Sequence, residues 1–301
     1  MNNNHYQLLK YCIDNNNIKL WNEIKKQCDK NGITINLRYA NLENANFKNA
    51  DLFNADFKNT NLKNVNLENV DLRNANLKNA DLFNAKLKNA SLKNAKLKNA
   101  ILKNADLRYA DFSNVDFRYA DLRYAKLSNA NLEYANLENT NLKNADLEFA
   151  DLSNANLENT NLEDANLEYA NLENANLENA DLFNANLENA DLEDADLRNT
   201  NLRNANFKNA DLKNAILKNV NLDVVDLSYT TWDGIKISDL KWCIIITKNQ
   251  IQIGCEIHTI KEWKNFTDME INEMDENALD FWKEYKEKII WLYENYNEDN
   301  K

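Results

Sequence analysis

The sequence predicts an all-β solenoid, and three observations carry that prediction. From Ile35 to Gly234 the chain runs as 40 consecutive five-residue units without an insertion. The first position of the unit is Ala in 29 of the 40 and the third is Leu in 34, with Phe47, Phe57, Phe112, Phe117, Phe207 and Trp232 taking its other places. The second position is mostly Asn or Asp, the fourth is usually charged, and the fifth is Asn in 28 units. Finally, neither regular structure buries this pattern. On an α-helix five residues advance about 500°, so successive leucines spiral around the whole circumference. On a straight strand an odd period sends them to alternate faces. A chain that bends once per unit keeps every Leu and Ala on the inside, and stacked coils join them into one column.

Composition limits what else the 301 residues can be. Three glycines and no proline exclude collagen-like and glycine- or proline-rich disordered chains. There are 36 basic and 48 acidic residues, a net charge of −12, and 44% hydrophobic residues to build a core. No apolar run of about 18 residues is present, so no membrane helix is expected. Met1–Leu20 shows no basic segment followed by an apolar one, so no secretory signal is expected. Cys12, Cys28, Cys243 and Cys255 are too few for a disulfide framework, and reduced thiols in the cytoplasm are the expectation.

Residues 1–34 form the first element. Residues 6–30 predict a helix, with Ile18, Trp21, Ile24 and Cys28 along one side and Gly32 placed to end it. A solenoid exposes its terminal coils, so this helix is expected to cap the first one.

Residues 35–234 form the second. Thr60, Thr140, Thr160 and Thr200 stand at first positions in one register of 20, and Phe83 and Phe183 at fourth positions lie 100 residues apart. A higher period of 20 means four units per coil. Burying each Leu contributes roughly 1.5–3 kcal/mol before entropy is deducted. Asn at the fifth position tolerates left-handed turn geometry, and stacked Asn side chains can form amide ladders between coils. The Ala-(Asp/Asn)-Leu-x-x run resembles the pentapeptide-repeat proteins over about two thirds of the chain. The resemblance implies a right-handed quadrilateral β-helix, here of about ten coils and roughly 48 Å long. It also implies an inward Leu/Phe and Ala with the other three positions in solvent.

Residues 235–301 form a small α+β extension. Cys243–Thr247 and Gln250–Ile253 predict two strands joined at Lys248–Asn249. Thr259–Glu262 and Thr267–Glu270 are capping boxes, and a helix is expected from Glu276 to about Tyr296 with Trp282, Tyr285, Ile289 and Leu292 inward. This tail is similar to the tails of some pentapeptide-repeat proteins, a likeness that implies no activity.

Chemistry has few places to reside. Three glycines cannot build a phosphate loop or a nucleophile elbow, and His5 and His258 are the sole histidines. Cys255-Glu256-Ile257-His258, with Cys243 across the hairpin, is the one candidate for a metal site or activated thiol. It offers at most three ligands where zinc wants four, and no orienting third group for a nucleophile. Packing is the simpler reading, so no enzyme, cofactor or metal is expected.

Charge is segregated along the repeat. Residues 35–130 are net +6, residues 131–196 are net −16 with Lys143 their one basic residue, and residues 197–220 are net +4. With 20 residues per coil, Glu138, Glu158 and Glu178 stack on one face and Glu148, Glu168 and Glu188 on another. Tyr109, Tyr119, Tyr124, Tyr134, Phe149 and Tyr169 emerge at fifth positions on more than one side. Exposed aromatics favour binding surfaces. The belt suits a basic protein partner, divalent cations or the basic coils of a second copy, and the terminal caps offer a further route to self-association. A solvated surface left by duplication is the plainer alternative.

A non-catalytic protein–protein scaffold is therefore the expected function. The resemblance supplies the alternative, a modulator of type II topoisomerase (gyrase) that imitates duplex DNA. The net-positive first half and the lack of projecting loops oppose it, and the acidic pI of about 4.8 opposes direct nucleic-acid binding.

Overall fold

The architecture is a computed structural model that describes residues 4–15, 17–220, 222, 225–227, 230–232, 234–237, 240–247 and 250–299. The expected Lys248–Asn249 turn and Asp233 lie outside the described residues, as do the side chains of His5 and Trp232.

Among the described residues, parallel bridges join second positions to those 20 residues on, from Asn36↔Asp56 to Asn206↔Asp226. The strands β1 (Asp211–Leu212) and β2 (Thr231–Trp232) extend that register in the pairs Asp211↔Thr231 and Leu212↔Trp232. A step of 20 in a five-residue repeat gives four sides per coil. Most contacts between coils are single bridges, because a turn interrupts the chain in every unit.

The unit Ala155–Asn159 shows why these residue types recur. Ala155 N–H closes a turn on Leu152 O at 3.0 Å. Asn156 N–H donates back to Ala135 O in the preceding coil, and Leu157 N–H forward to Asn176 O in the next at 2.7 Å. Glu158 N–H donates to the Asn156 side-chain Oδ1 at 3.1 Å, which is why the second position wants Asn or Asp. Asn159 sits at φ +57° and donates forward to Glu178 O at 3.0 Å. All five amides thus have partners, as backbone running beside a buried column requires. Fifth-position residues hold positive φ from Tyr39 to Asn219, a region that Asn tolerates better than other L-residues. Amide ladders also form, for example Asn89 to Asn69 to Asn49, each step at 3.1 Å.

First and third positions fill the interior. Ala155 is 2% exposed and Leu157 0%, and the same alternation runs from Ile35 to Val225 except that Ala40, Ala45 and Ala215, near the two ends, are only partly buried. The five phenylalanines of the third position are fully buried, with Phe112 and Phe117 at 5.1 Å between centroids. Thr fits among the alanines because its hydroxyl finds a backbone carbonyl: Thr160 Oγ1 donates one coil back to Leu137 O at 2.9 Å, and Thr200 Oγ1 to Leu197 O within its own coil at 2.7 Å.

The expected N-terminal helix is two helices, α1 (Asn4–Asp14) and α2 (Ile18–Lys30). A new helix starts at Asn17, which turns its side chain to accept Leu20 N–H as an N-cap. The fully buried Trp21 of α2 donates Nε1–H to Asp51 O at 2.8 Å, and Asn22 Oδ1 accepts Asp51 N–H at 2.8 Å. Those two side chains occupy hydrogen-bonding positions that a preceding coil fills elsewhere. Gly32 stands at φ +66° just past α2.

After the repeat comes an antiparallel sheet in the order β3 (Gly234–Ile237), β4 (Ile244–Thr247), β5 (Ile251–Ile253) and β6 (Glu256–His258). The sequence reading found β4 and β5 but not the two outer strands. β4 is buried at every position because the sheet is covered on both sides: Ile245 joins the repeat column, whereas Ile244 and Ile246 join a second core. That core is closed by α3 (Ile260–Asn265), α4 (Asp268–Met274) and α5 (Ala278–Asp299), which bring in Trp263, Ile271, Phe281, Trp282 and Ile289. Both capping boxes form, at Thr259/Glu262 and Thr267/Glu270. The last helix begins two residues later than expected, because Asn277 N–H turns to Asp275 Oδ1.

Gln250 and Gln252 of the sheet face the last coils. Gln250 Oε1 accepts Asn219 N–H at 2.7 Å while its Nε2 donates to Leu217 O at 2.8 Å. Gln252 Oε1 accepts Leu222 N–H at 3.0 Å. In a continuing stack the next coil would supply those acceptors.

Candidate functional site: the charged wall of the repeat

The fourth position of each unit follows the buried third position and precedes a left-handed turn, so its side chain leaves the rod at a fixed place on every side. Backbone bonds from Tyr119 to Glu138 O, Asn139 to Glu158 O and Asn159 to Glu178 O align Glu138, Glu158 and Glu178 in one column. Phe149 N–H to Glu168 O and Tyr169 N–H to Glu188 O, both at 3.0 Å, align Glu148, Glu168 and Glu188 in another. The structure thus brings together each triad read from the sequence. It also stacks Phe149 on Tyr169 beside the second column, with centroids 4.8 Å apart and planes 7° from parallel. These rings are 50% and 47% exposed, large enough to offer a partner an aromatic ledge.

Not every carboxylate of the belt is free. Toward the C-terminal end Arg198 holds Glu178 at 2.7 Å, Lys208 holds Glu188 at 3.0 Å and Lys213 holds Glu193. Lys143, inside the belt, holds Glu163 at 2.6 Å, and that hydrogen bond raises the lysine's pKa. Among the described residues no ion pair engages Glu138, Glu158, Glu148 or Glu168. Glu138 and Glu158 accept only from the neighbouring Asn139 and Asn159 side chains.

The basic half is built differently. Arg108 and Arg118 fold back on Asp106 and Asp116, at 2.6 and 2.8 Å, and these hydrogen bonds hold both carboxyls below the usual aspartate range. Lys86, Lys88, Lys93, Lys96, Lys98 and Lys103 belong to one coil and form no ion pair among the described residues. Lys88, Lys98 and Lys103 instead lie over the rings of Tyr109, Tyr119 and Tyr124 one coil on, at 5.5, 5.0 and 5.7 Å. The exposed aromatics are thus partly engaged by cations of the chain itself.

At the C-terminal unit, Cys255 is exposed in the turn before β6. His258 lies 3.1 Å from Glu256 Oε2 and packs edge-on against Trp263 and Phe266. Glu256 and His258 share one face of β6, a pairing that strand alternation could have foretold. Cys243 meets this region through its carbonyl, which accepts Gly254 N–H at 3.0 Å. Among the described residues no group of three or more His, Cys, Asp and Glu side chains is placed to hold a metal ion. A cavity of about 280 Å³ lies nearby, lined by Trp242, Trp263, Phe281 and Trp282 with Cys255, Glu256 and Asp275 its polar members. No described helix is long and apolar enough to cross a membrane.

Against known proteins, the model of the pentapeptide repeats family matches in overlapping copies that together run from residue 35 to 228. Among solved structures the chain is similar to HetL, a pentapeptide repeat protein involved in heterocyst differentiation regulation from the cyanobacterium Nostoc sp. strain PCC 7120. The identity is 32% over 68% of this chain and 92% of HetL, with a TM-score of 0.66. It also matches QnrB1, a plasmid-mediated fluoroquinolone resistance protein, at 21% identity over 66% of this chain and 92% of that one, with a TM-score of 0.37. No curated protein matches the sequence.

Proposed function

This chain belongs to the pentapeptide-repeat family, whose right-handed quadrilateral β-helix it shares, and on that premise we propose that it is a non-catalytic protein–protein interaction scaffold. The observation that carries the reading is the division of labour within the unit. First and third positions fill the inside of the repeat, so a function of the repeat resides on its outer walls, where charge is sorted into blocks. We read the stack as about ten coils over residues 35–234. Residues 1–34 cap one end and residues 235–301 the other, and a cytoplasmic setting agrees with four cysteines that form no disulfide. The partner-binding wall is the acidic belt, with Glu138, Glu158 and Glu178, the column Glu148, Glu168 and Glu188, and Tyr169 as contact residues. Its partner is a protein with a basic surface.

The charge profile counts against imitation of duplex DNA, which carries its negative charge along its whole length; residues 35–130 here are net positive. The test is affinity capture from the source cell with the native chain and with the six belt glutamates changed to Gln. A specific partner that is lost on the change supports the reading; capture that is unaffected by it sinks the belt as the site.

A further inference from the structure

One wall of the rod carries both signs in unbroken blocks. Its fourth positions are basic up to Arg118, acidic at Glu138, Glu158 and Glu178, then basic again at Arg198. Backbone bonds from Asn79 to Lys98 O, Asn99 to Arg118 O and Tyr119 to Glu138 O place the two blocks in one column, one residue per coil. The stacking distance is about 4.8 Å, so like charges within each block repel one another. Within the chain most of that repulsion has no remedy. Among the described residues Lys78, Lys98, Glu138 and Glu158 form no ion pair, although Lys98 lies over the Tyr119 ring. Arg118 turns to Asp116, and Glu178 to Arg198.

We propose that this wall is a self-complementary docking surface for a second copy of the chain, the two rods lying side by side and antiparallel. This rests on the scaffold reading above and names a partner for its acidic column. A two-fold axis between the coils of Arg118 and Glu138 sets Arg118 against Glu138 of the second copy, Lys98 against Glu158 and Lys78 against Glu178. Each pair occurs twice, as an isologous interface requires. The spacing matches without adjustment because both columns share one coil pitch. No like charges meet until Lys58 faces Arg198 of the second copy, and that guanidinium is already held by Glu178 and Asp196. The other walls pair less completely: on the wall of Glu148, Glu168 and Glu188 the corresponding axis would set Glu68 against Glu188, the acidic fourth positions of the wall of Lys63 and Lys103 (Glu43, Glu163 and Asp223) stand apart from one another, and Ser113 and Ser153 interrupt the blocks on the wall of Arg73, Lys93, Glu133, Glu173 and Glu193. The contact spans six coils, about 29 Å, and is about one rod side wide, so its area lies well under the roughly 800 Å² per partner of a stable interface. The pairing is accordingly weak, reversible and sensitive to salt.

Sedimentation velocity on the whole chain tests this with two charge-reversed variants. E138K/E158K/E178K makes the fourth positions of the six contact coils wholly basic, and K78E/K98E/R118E makes those six wholly acidic. All six residues are half-buried on the outer wall and none belongs to the core, and circular dichroism with thermal unfolding verifies that the fold is kept. The native chain should self-associate at concentrations on the order of 100 µM in about 20 mM salt, and the association should weaken at least ~10-fold in about 300 mM salt. Each variant alone should be monomeric, and an equimolar mixture should form a heterodimer. Three outcomes overturn the proposal: a monomeric native chain at low salt, variants that associate as the native does, or folded variants that ignore each other. A monomeric native chain that still captures a partner through its belt would remove the self-pairing and leave the scaffold reading standing.

Discussion

The rod and the C-terminal unit are stabilised by opposite strategies. In the rod every residue type answers a requirement of its own unit: Asn156 for the next amide but one, Asn159 for the left-handed turn, Leu157 and Ala155 for the column. In the C-terminal unit the decisive contacts join residues distant in sequence. Trp263 donates Nε1–H to Ile251 O, and Trp282 packs on Trp263 at 5.0 Å. A periodic structure spreads its stability over many equivalent small contributions, whereas a single irregular core concentrates it in a few large side chains.

Paired core substitutions give the largest expected effect. Leu142→Asp places a carboxylate with no partner in the middle of the column, where Leu142 is 0% exposed. Thermal unfolding should shift by the equivalent of at least about 4 kcal/mol, with the loss of β signal falling in the rod. Trp263→Ala should cost about 3–5 kcal/mol, confined to the C-terminal helices. If Trp263→Ala lowers the rod's transition as much as Leu142→Asp does, the two regions are one cooperative unit and the comparison fails.

The junction should respond less. Gln252 is 1% exposed, and its Oε1 serves the Leu222 amide. Gln252→Leu removes that buried acceptor, at a cost of about 1–3 kcal/mol. Hydrogen exchange at Leu222 should accelerate while exchange at Leu157 is unchanged. Equal protection of Leu222 in both forms would show that Gln252 is not what closes the stack.

A single turn of the rod should matter less again. Asn159 holds φ +57°, so Asn159→Ala should cost about 1–2 kcal/mol and Asn159→Gly much less, read from denaturant midpoints. If Gly proves as costly as Ala, the Asn side chain rather than the turn geometry carries the position.

This difference in strategy also decides what was legible in the sequence. The rod could be read because its rules are local and repeated 40 times. The break between α1 and α2 needed only Asn17 as an N-cap to be weighed against the hydrophobic spacing. β3 and β6 escaped because each is short, and β3 begins at Gly234, the last residue of the repeat itself. Gln250 and Gln252 had no signal at all, since two glutamines in a strand look like any solvent-facing pair until a coil end is set against them. Of the candidate wall, the glutamate columns followed from the 20-residue period. Their neutralisation by Arg198, Lys208 and Lys213 was equally available from that period, one coil on. The stack of Phe149 on Tyr169 follows from it as well.

The smallest effect separates the two regions by the origin of their depressed carboxyls. Asp106 and Asp116 in the rod are held low by hydrogen bonds from Arg108 and Arg118, mobile cations at a solvated surface. Glu262 and Glu270 in the C-terminal unit are held low first by the backbone N–H groups of Thr259 and Thr267, within the capping boxes. A carboxyl whose folded pKa lies below its unfolded value stabilises the fold above that unfolded value. The contribution disappears as pH falls through the folded pKa, so for both sets the loss lies below about pH 4. Salt should separate them. Raising it from about 0.02 to 1 M screens the arginine charge, so carboxyl NMR titrations of Asp106 and Asp116 should move up toward the usual aspartate range. Glu262 and Glu270, bonded to neutral amides fixed by the helix start, should move less. Equal movement in both sets would mean that the capping boxes are held by long-range charge and that the two regions do not differ in this respect.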